Sequence, residues 1–192
     1  MLLAWLCTAL ASVIVVSIAL WVCHAYQSRH EARRIVKAIE AEDQTELLML
    51  LVEGTDFHSV RQWSGEPALV LAVQSAGSDD GGFAEEAVTL FVAHGANVNE
   101  PGTEWKTALM HAATNGNRDL CNALLSYGAD PAARDMVGRT AADWADCAGF
   151  PRVAYLLRKV EAKYANLTIG GGLGTGRRYR HARLSAEFGD VL

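Results

Sequence analysis

The sequence predicts an all-α protein, a short helical repeat solenoid of three to four units preceded by one transmembrane helix. Three observations predict it. An uncharged apolar run opens the chain, a 33-residue self-similarity runs through the body, and within each unit apolar residues recur at helical spacing. The composition agrees with the first of these. A chain of 192 residues that is 51% hydrophobic and only 20% charged carries more apolar matter than one soluble domain needs.

The excess lies at residues 2–23, which contain no charged side chain and are interrupted only by Thr8, Ser12 and Ser17. As a helix these 22 residues extend about 33 Å, enough to cross a bilayer core. A cleaved signal peptide would need a basic start, a shorter apolar run and a small-x-small cut site. Here no Lys or Arg precedes the run, and its far end reads Leu20-Trp21-Val22-Cys23. A lipoprotein reading of Cys23 meets the same missing basic start and a bulky Val22 before the cysteine. Trp5 and Trp21 stand near the two ends, where amphipathic rings suit the interface. The expected element is an uncleaved anchor at 1–23, followed by a juxtamembrane linker at 24–31. Arg29, Arg33, Arg34 and Lys37 follow it, so the positive-inside bias expects a single-pass membrane protein with its soluble part in the cytoplasm. In that reducing compartment Cys121 and Cys147 are expected as thiols packed in or near a core.

The body begins its repeat most clearly at Thr107-Ala108-Leu109-Met110-His111-Ala112-Ala113, followed by Gly116, Leu124-Leu125 and Gly128-Ala129-Asp130. Gly138-Arg139-Thr140 starts the pattern again 33 residues after Thr107, with Ala141-Ala142, Trp144 and Gly149 in register and the Leu156-Leu157 pair one residue early. Upstream, Phe91-Val92 and Gly95-Ala96-Asn97 precede their counterparts by the same interval, and Leu50-Leu51 with Gly54 stand 41 residues earlier still. The surplus of eight is located. Seven residues, 78–84, fall between the two helices of that unit, and one more falls between Gly54 and Pro67.

Each unit reads as two short amphipathic helices whose apolar face no single unit could bury. Ala112 and Ala113 let neighbouring helices approach, and Gly54, Gly95 and Gly128 stand where a left-handed residue ends a helix. The first unit carries Arg33, Arg34, Lys37, Glu40, Glu42, Asp43 and Glu46, the charge expected of a solvated cap. The resulting division is a degenerate capping repeat at 32–66, a repeat with an inter-helix insertion at 67–106, a full repeat at 107–139 and a capping repeat at 140–162. The remaining residues, 163–192, contain Gly170-Gly171-Gly172-Leu173-Gly174-Thr175-Gly176. That run has neither the GxGxxG nor the P-loop spacing, so a flexible basic tail is expected.

These landmarks resemble the ankyrin repeat over residues 32–162, most closely from 107 onward. The resemblance lies in the Thr-Pro-Leu-His-x-Ala-like start, the Gly closing the first helix, the Leu-Leu pair and the Gly-Ala-Asp that opens a hairpin loop. Departures are Ala108 in place of Pro, His111 one place late, and Pro67 in place of Thr. The resemblance implies protein binding along a concave groove and the hairpin tips. Carried over by position, the groove column holds Leu71, His111 and Trp144, flanked by Gln74, Thr114 and Cys147, then by Ser75, Asn115 and Ala148. In the loop 95–107, Gly102 stands where the next loop has Asp135, and Trp105 stands where it has Gly138. A tryptophan at a left-handed glycine position stores backbone strain, which points to use. The expected partner-binding residues are Trp63, Leu71, Trp105, His111, Thr114, Asn115, Met136 and Trp144.

Residues 24–162 carry 12 basic against 20 acidic side chains, which disfavours nucleic acid as a partner. His111 with Cys121, or Asp143 with Asp146, are the only pairs that invite a catalytic reading. The repeat register assigns His111 and Asp143 to positions near helix starts, where polar side chains serve the backbone. No catalytic residue, metal or cofactor is expected. The expected function is a membrane-tethered protein-protein interaction module or scaffold with a protein partner. Its alternatives are an inhibitor or immunity-type protein that blocks an enzyme or toxin and, below that, a membrane-anchored enzyme.

Overall fold

A computed structural model describes residues 30–54, 65–75 and 81–170. The predicted anchor and Trp63 lie outside the described residues, as does the tail from 171 onward. Among the described residues no helix is long and apolar enough to cross a membrane, and no strand is present.

Four helix pairs follow one another. We label them α1 (30–40) with α2 (Gln44–Val52), α3 (Ala68–Ser75) with α4 (Gly81–Ala93), α5 (Ala108–Thr114) with α6 (Arg118–Ser126), and α7 (Ala141–Cys147) with α8 (Pro151–Gly170). Within a pair the two helices lie against each other, as in α3 with α4, α5 with α6 and α7 with α8. Between pairs, α3, α5 and α7 form one layer, and α2, α4 and α6 form a second. This is the two-layer stack that the 33-residue register requires, since each unit exposes an apolar face until its neighbour covers it.

Local signals set the ends of these helices. Asp43 caps α2 by accepting from the N–H groups of Thr45 (3.0 Å) and Glu46 (3.2 Å), and Asn117 caps α6 through the N–H of Leu120 (3.0 Å). Asp143, in the first turn of α7, accepts from the N–H of Thr140 (3.0 Å). Each bond satisfies a donor that the helix start leaves free. At the far end of α6, Gly128 adopts φ +86°, and the N–H groups of Gly128 and Ala129 return to the carbonyls of Leu125 and Leu124. A side chain in that backbone conformation would be strained, which is why glycine closes the helix.

The first-helix layer is built from small residues: Ala72, Ala112, Ala113, Ala142 and Ala145 are fully or almost fully buried. Their size allows close helix approach, while Leu50, Phe91, Leu109, Leu120, Leu124 and Leu157 fill the space between layers. Phe91 occupies the place that Leu124 takes one unit later.

Three boundaries differ from the sequence expectation. Residues 81–84 are not loop: they form an added first turn of α4 in which Phe83 and Ala84 are buried. Burial of those two side chains draws the turn into the helix, and only the three remaining inserted residues, 78–80, stay outside the described residues. Secondly, α8 runs on past 162 to Gly170. Thirdly, the first unit presents apolar as well as charged residues outward. Its Arg34 ties to Glu46 (2.9 Å) and Glu53 (3.3 Å), yet Leu48, Met49 and Val52 on α2 are exposed.

Candidate functional site

The loops that join second helices to the following first helices carry the most exposed large apolar side chains outside α2 and α8. Trp105 is 64% exposed, Met136 71% and Val137 74%. The two loops are linked, because the N–H of Met136 donates to the carbonyl of Glu104 (3.1 Å). Trp105 and the Met136-Val137 pair therefore belong to neighbouring tips of one edge.

The two tips are closed differently. In the loop before α7, Asp135 is buried, and its Oδ1 accepts from the N–H groups of Val137 (2.9 Å) and Arg139 (2.8 Å). Its Oδ2 accepts from Trp144 Nε1 (3.0 Å). Burial works against the charge of this carboxyl, but the Arg139 and Val137 N–H groups and the indole outweigh it and hold the carboxyl below its ordinary range. The main chain is closed from the N–H of Asp135 to the carbonyl of Arg139 (3.1 Å).

In the loop before α5 the same main-chain closure runs from the N–H of Gly102 to the carbonyl of Lys106 (2.8 Å), but no carboxylate is attached at 102. One arrives from the preceding unit instead. Buried Glu66 accepts from the N–H of Thr103 (3.0 Å) and from the Thr103 hydroxyl. A Cβ placed on Gly102 would lie 1.8 Å from Glu66 Oε2, so the Glu66 carboxylate fills the space that an aspartate side chain at 102 would need. A side chain at 102 would therefore displace the Glu66 carboxylate, while the backbone there has an ordinary extended φ of −82°.

Between these anchor points the turn reverses on Glu104 (φ +56°) and Trp105 (φ +60°), closed by the N–H of Lys106 donating to Thr103 (3.2 Å). Two successive left-handed residues are the backbone of a type I′ turn, which ordinarily takes Asn-Gly. The sequence expected strain at Trp105, and the backbone there is left-handed as expected; the neighbouring Glu104 was not foreseen. Lys106 pairs with Glu104 (2.9 Å), which holds the Glu104 carboxyl below its ordinary range, and stands over the Trp144 ring at 4.2 Å.

The helix column is also assembled, with most of its members engaged in holding units together. Leu71 and Trp144 are half-buried against the core. The amide nitrogen of Gln74 lies 3.3 Å from His111 Nε2, an arrangement in which the amide donates only to a neutral ring. Burial keeps the His111 imidazole below its ordinary value, aided by Lys106 and opposed by Glu66 and Glu104. Asn115 donates from Nδ2 to the Val73 carbonyl one unit away (3.3 Å), and Thr114 donates to Met110 in its own helix (2.8 Å). Trp144 bridges two roles, for its ring edge is bonded to Asp135 while Lys106 and Arg139 lie over the ring.

Of the expected set, Trp105 and Met136 come together at the tips, and Leu71, His111, Thr114, Asn115 and Trp144 form the adjoining wall. Val137 and Glu66 were missed. A signal for Val137 existed in the sequence, an apolar pair Met136-Val137 at a turn. None existed for Glu66, whose function depends on a fold contact 37 residues away. The pairs that invited a catalytic reading are tied into the fold: Asp143 to Thr140, Asp146 to Arg158, and Cys121 in the core, where burial pushes its thiol up to about 12. Among the described residues no group of three His, Cys, Asp or Glu side chains is placed to hold a metal ion.

A family model described as ankyrin repeats, in three copies, matches residues 35–135 and 83–166, well over half of the chain. Among curated proteins none matches the sequence.

Proposed function

The chain belongs to the ankyrin-repeat family, and from that premise we propose that it is a membrane-tethered module that captures a protein partner on the edge formed by its hairpin tips. The observation that carries the reading is the exposure of Trp105, Met136 and Val137 on adjoining tips, with Trp105 held in a left-handed backbone conformation. Large rigid side chains presented without an internal partner are the usual anchors of protein interfaces. Strain of this kind persists where the surrounding structure over-determines it, and it clusters at sites of use. The half-buried wall of Leu71, His111, Thr114, Asn115 and Trp144 continues the surface from the tips into the groove.

Residues 2–23 supply the tether in this proposal, and the positive-inside bias of the basic residues that follow favours a stack on the cytoplasmic side. A short linker then holds the tips near the membrane, which raises the local concentration of a partner that is itself at that membrane.

A photo-crosslinking side chain at position 105 or 136 of the full chain, compared with one at the outward-facing Glu86 of α4, tests the proposal. The two tip positions should give the same discrete adduct with one protein, and position 86 none. Equal adducts from all three positions, or none from the tips, would sink it. Fusing a compartment-specific reporter after residue 192 tests the orientation separately, with activity expected only for a cytoplasmic reporter.

A further inference from the structure

On the opposite side of the stack the second-helix layer does not close. While α4 and α6 pack together, α8 packs chiefly on α7, and a groove of about 620 Å³ lies between α6 and α8. At one end the Phe150 ring is seated against Gly116, so closely that a Cβ on Gly116 would lie 2.5 Å from it. Phe150, Leu156 and the exposed Tyr155 give the groove apolar walls, and Arg118, Arg152 and Lys159 line it with positive charge. Among the described residues these three cations take part in no ion pair or hydrogen bond. Three uncommitted cations around an apolar gap between two helices form a seat for an acidic amphipathic segment.

We propose that this seat takes residues 184–192 of the same chain. Their sequence, Leu184-Ser185-Ala186-Glu187-Phe188-Gly189-Asp190-Val191-Leu192, spaces its apolar members at i, i+4, i+7 and i+8. On a helix these four share one face, with Glu187 and Asp190 along one flank. A helix of that length extends about 13 Å, which matches the stretch of α8 from Pro151 to Val160. The segment carries a net charge of −2 against the three cations of the groove. Reach is sufficient. From Gly170 back to Val160 is about 15 Å along α8, and the 13 residues between, 171–183, can reach at most about 43 Å, well beyond that distance. At that tether length the segment faces the groove at millimolar effective concentration, above what a free partner would reach. Docked there, it completes the layer that α8 leaves open and keeps the groove from other acidic helices. The proposal is independent of the hairpin edge.

The test uses the full chain in detergent micelles and a fluorescein-labelled peptide of residues 182–192, followed by anisotropy. A Phe188→Asp variant, whose own segment is spoiled, should bind the peptide at least tenfold more tightly than the wild type, in which the site is filled. Adding Arg152→Glu and Lys159→Glu to that variant should abolish binding, and a peptide with Glu187→Lys and Asp190→Lys should restore it. Equal binding to wild type and Phe188→Asp would overturn the proposal, because the groove would then be open to an outside partner. Failure of the peptide to bind either protein, or binding that survives the charge reversal, would overturn it as well.

Discussion

Trp105 offers a test in which the expected sign is opposite to the usual one. Its backbone lies at φ +60°, and its side chain is 64% exposed. Replacing it by alanine or by glycine removes the same indole. The third of the ring that is covered, roughly 70 Å² of the ~200 Å² a tryptophan can bury, is worth about 2 kcal/mol at ~25 cal/mol per Å² in both variants. What differs is the backbone. An alanine in the left-handed region is strained by about 1–2 kcal/mol, and glycine is not. Against this, glycine loses about 0.4–1 kcal/mol more on folding through the entropy of the unfolded chain. The balance leaves Trp105→Gly more stable than Trp105→Ala by about 0.5–1 kcal/mol, or about 2–4 °C in Tm for a stack of this size. Scanning calorimetry or denaturant titration of the two variants reads it directly. Both should lose the tip crosslink to the partner equally, since the anchor is gone from each. An alanine variant as stable as the glycine variant would refute the strain at 105, and a glycine variant that retains the partner would refute the use of the indole.

Four further outcomes follow from the same geometry. Glu66→Ala should cost about 2 kcal/mol or more by removing a charged acceptor from Thr103, and Gly102→Asp should be destabilising because its Cβ would meet Glu66. Together they should recover to within about 1 kcal/mol of wild type, because Asp at 102 can accept from its own turn as Asp135 does; additive losses in a denaturant double-mutant cycle would contradict this. Burial holds the His111 pKa below its ordinary value, so it is lower folded than unfolded. The unfolded chain therefore takes up the proton first, and the stability His111 contributes is complete above its unfolded pKa and lost as pH falls from there through the lower folded pKa. Denaturation midpoints should accordingly fall less between pH 7.5 and 5.5 (on the order of the ordinary His range) in His111→Gln than in the wild type.

The sequence register made the stack legible because its cause is local and repeated. Each Leu-Leu pair, each closing glycine and each buried alanine answers to the same requirement one unit later, and Phe91 in the Leu124 place satisfies it with a different side chain. Where the register slipped, packing decided. The inserted residues 81–84 read as a loop by comparison with the neighbouring unit, yet Phe83 finds a core and carries a helical turn with it. The tips were legible in part. A tryptophan at a glycine position signals strain by itself, so Trp105 stood out. The wall was readable as a column of positions, whereas the bonds that engage it, Gln74 with His111 and Asn115 with Val73, join residues of different units and leave no pattern in either. The groove behind the stack was invisible for a related reason. At its end one aromatic ring rests on one glycine 34 positions away, Phe150 on Gly116, and neither residue alone signals that contact.

The two left-handed residues of the tip would relax if the turn were free, and the structure shows what prevents it. Gly102 is joined to Lys106 across the base of the turn, Thr103 is held by a buried carboxylate from the preceding unit, and Glu104 is joined to Met136 of the following one. Lys106, at the end of the turn, is placed over Trp144. Restraints thus come from three successive units, and they act on main-chain atoms on either side of Trp105 and leave most of its indole in solvent. A side chain carried on a backbone that is already fixed costs less ordering on binding, which helps a single aromatic contribute heavily to an interface. The same reasoning ties the two predictions at this edge together. Loosening the turn through Glu66→Ala should weaken capture of the partner even though Glu66 itself is buried, and restoring the carboxylate with Gly102→Asp should return it.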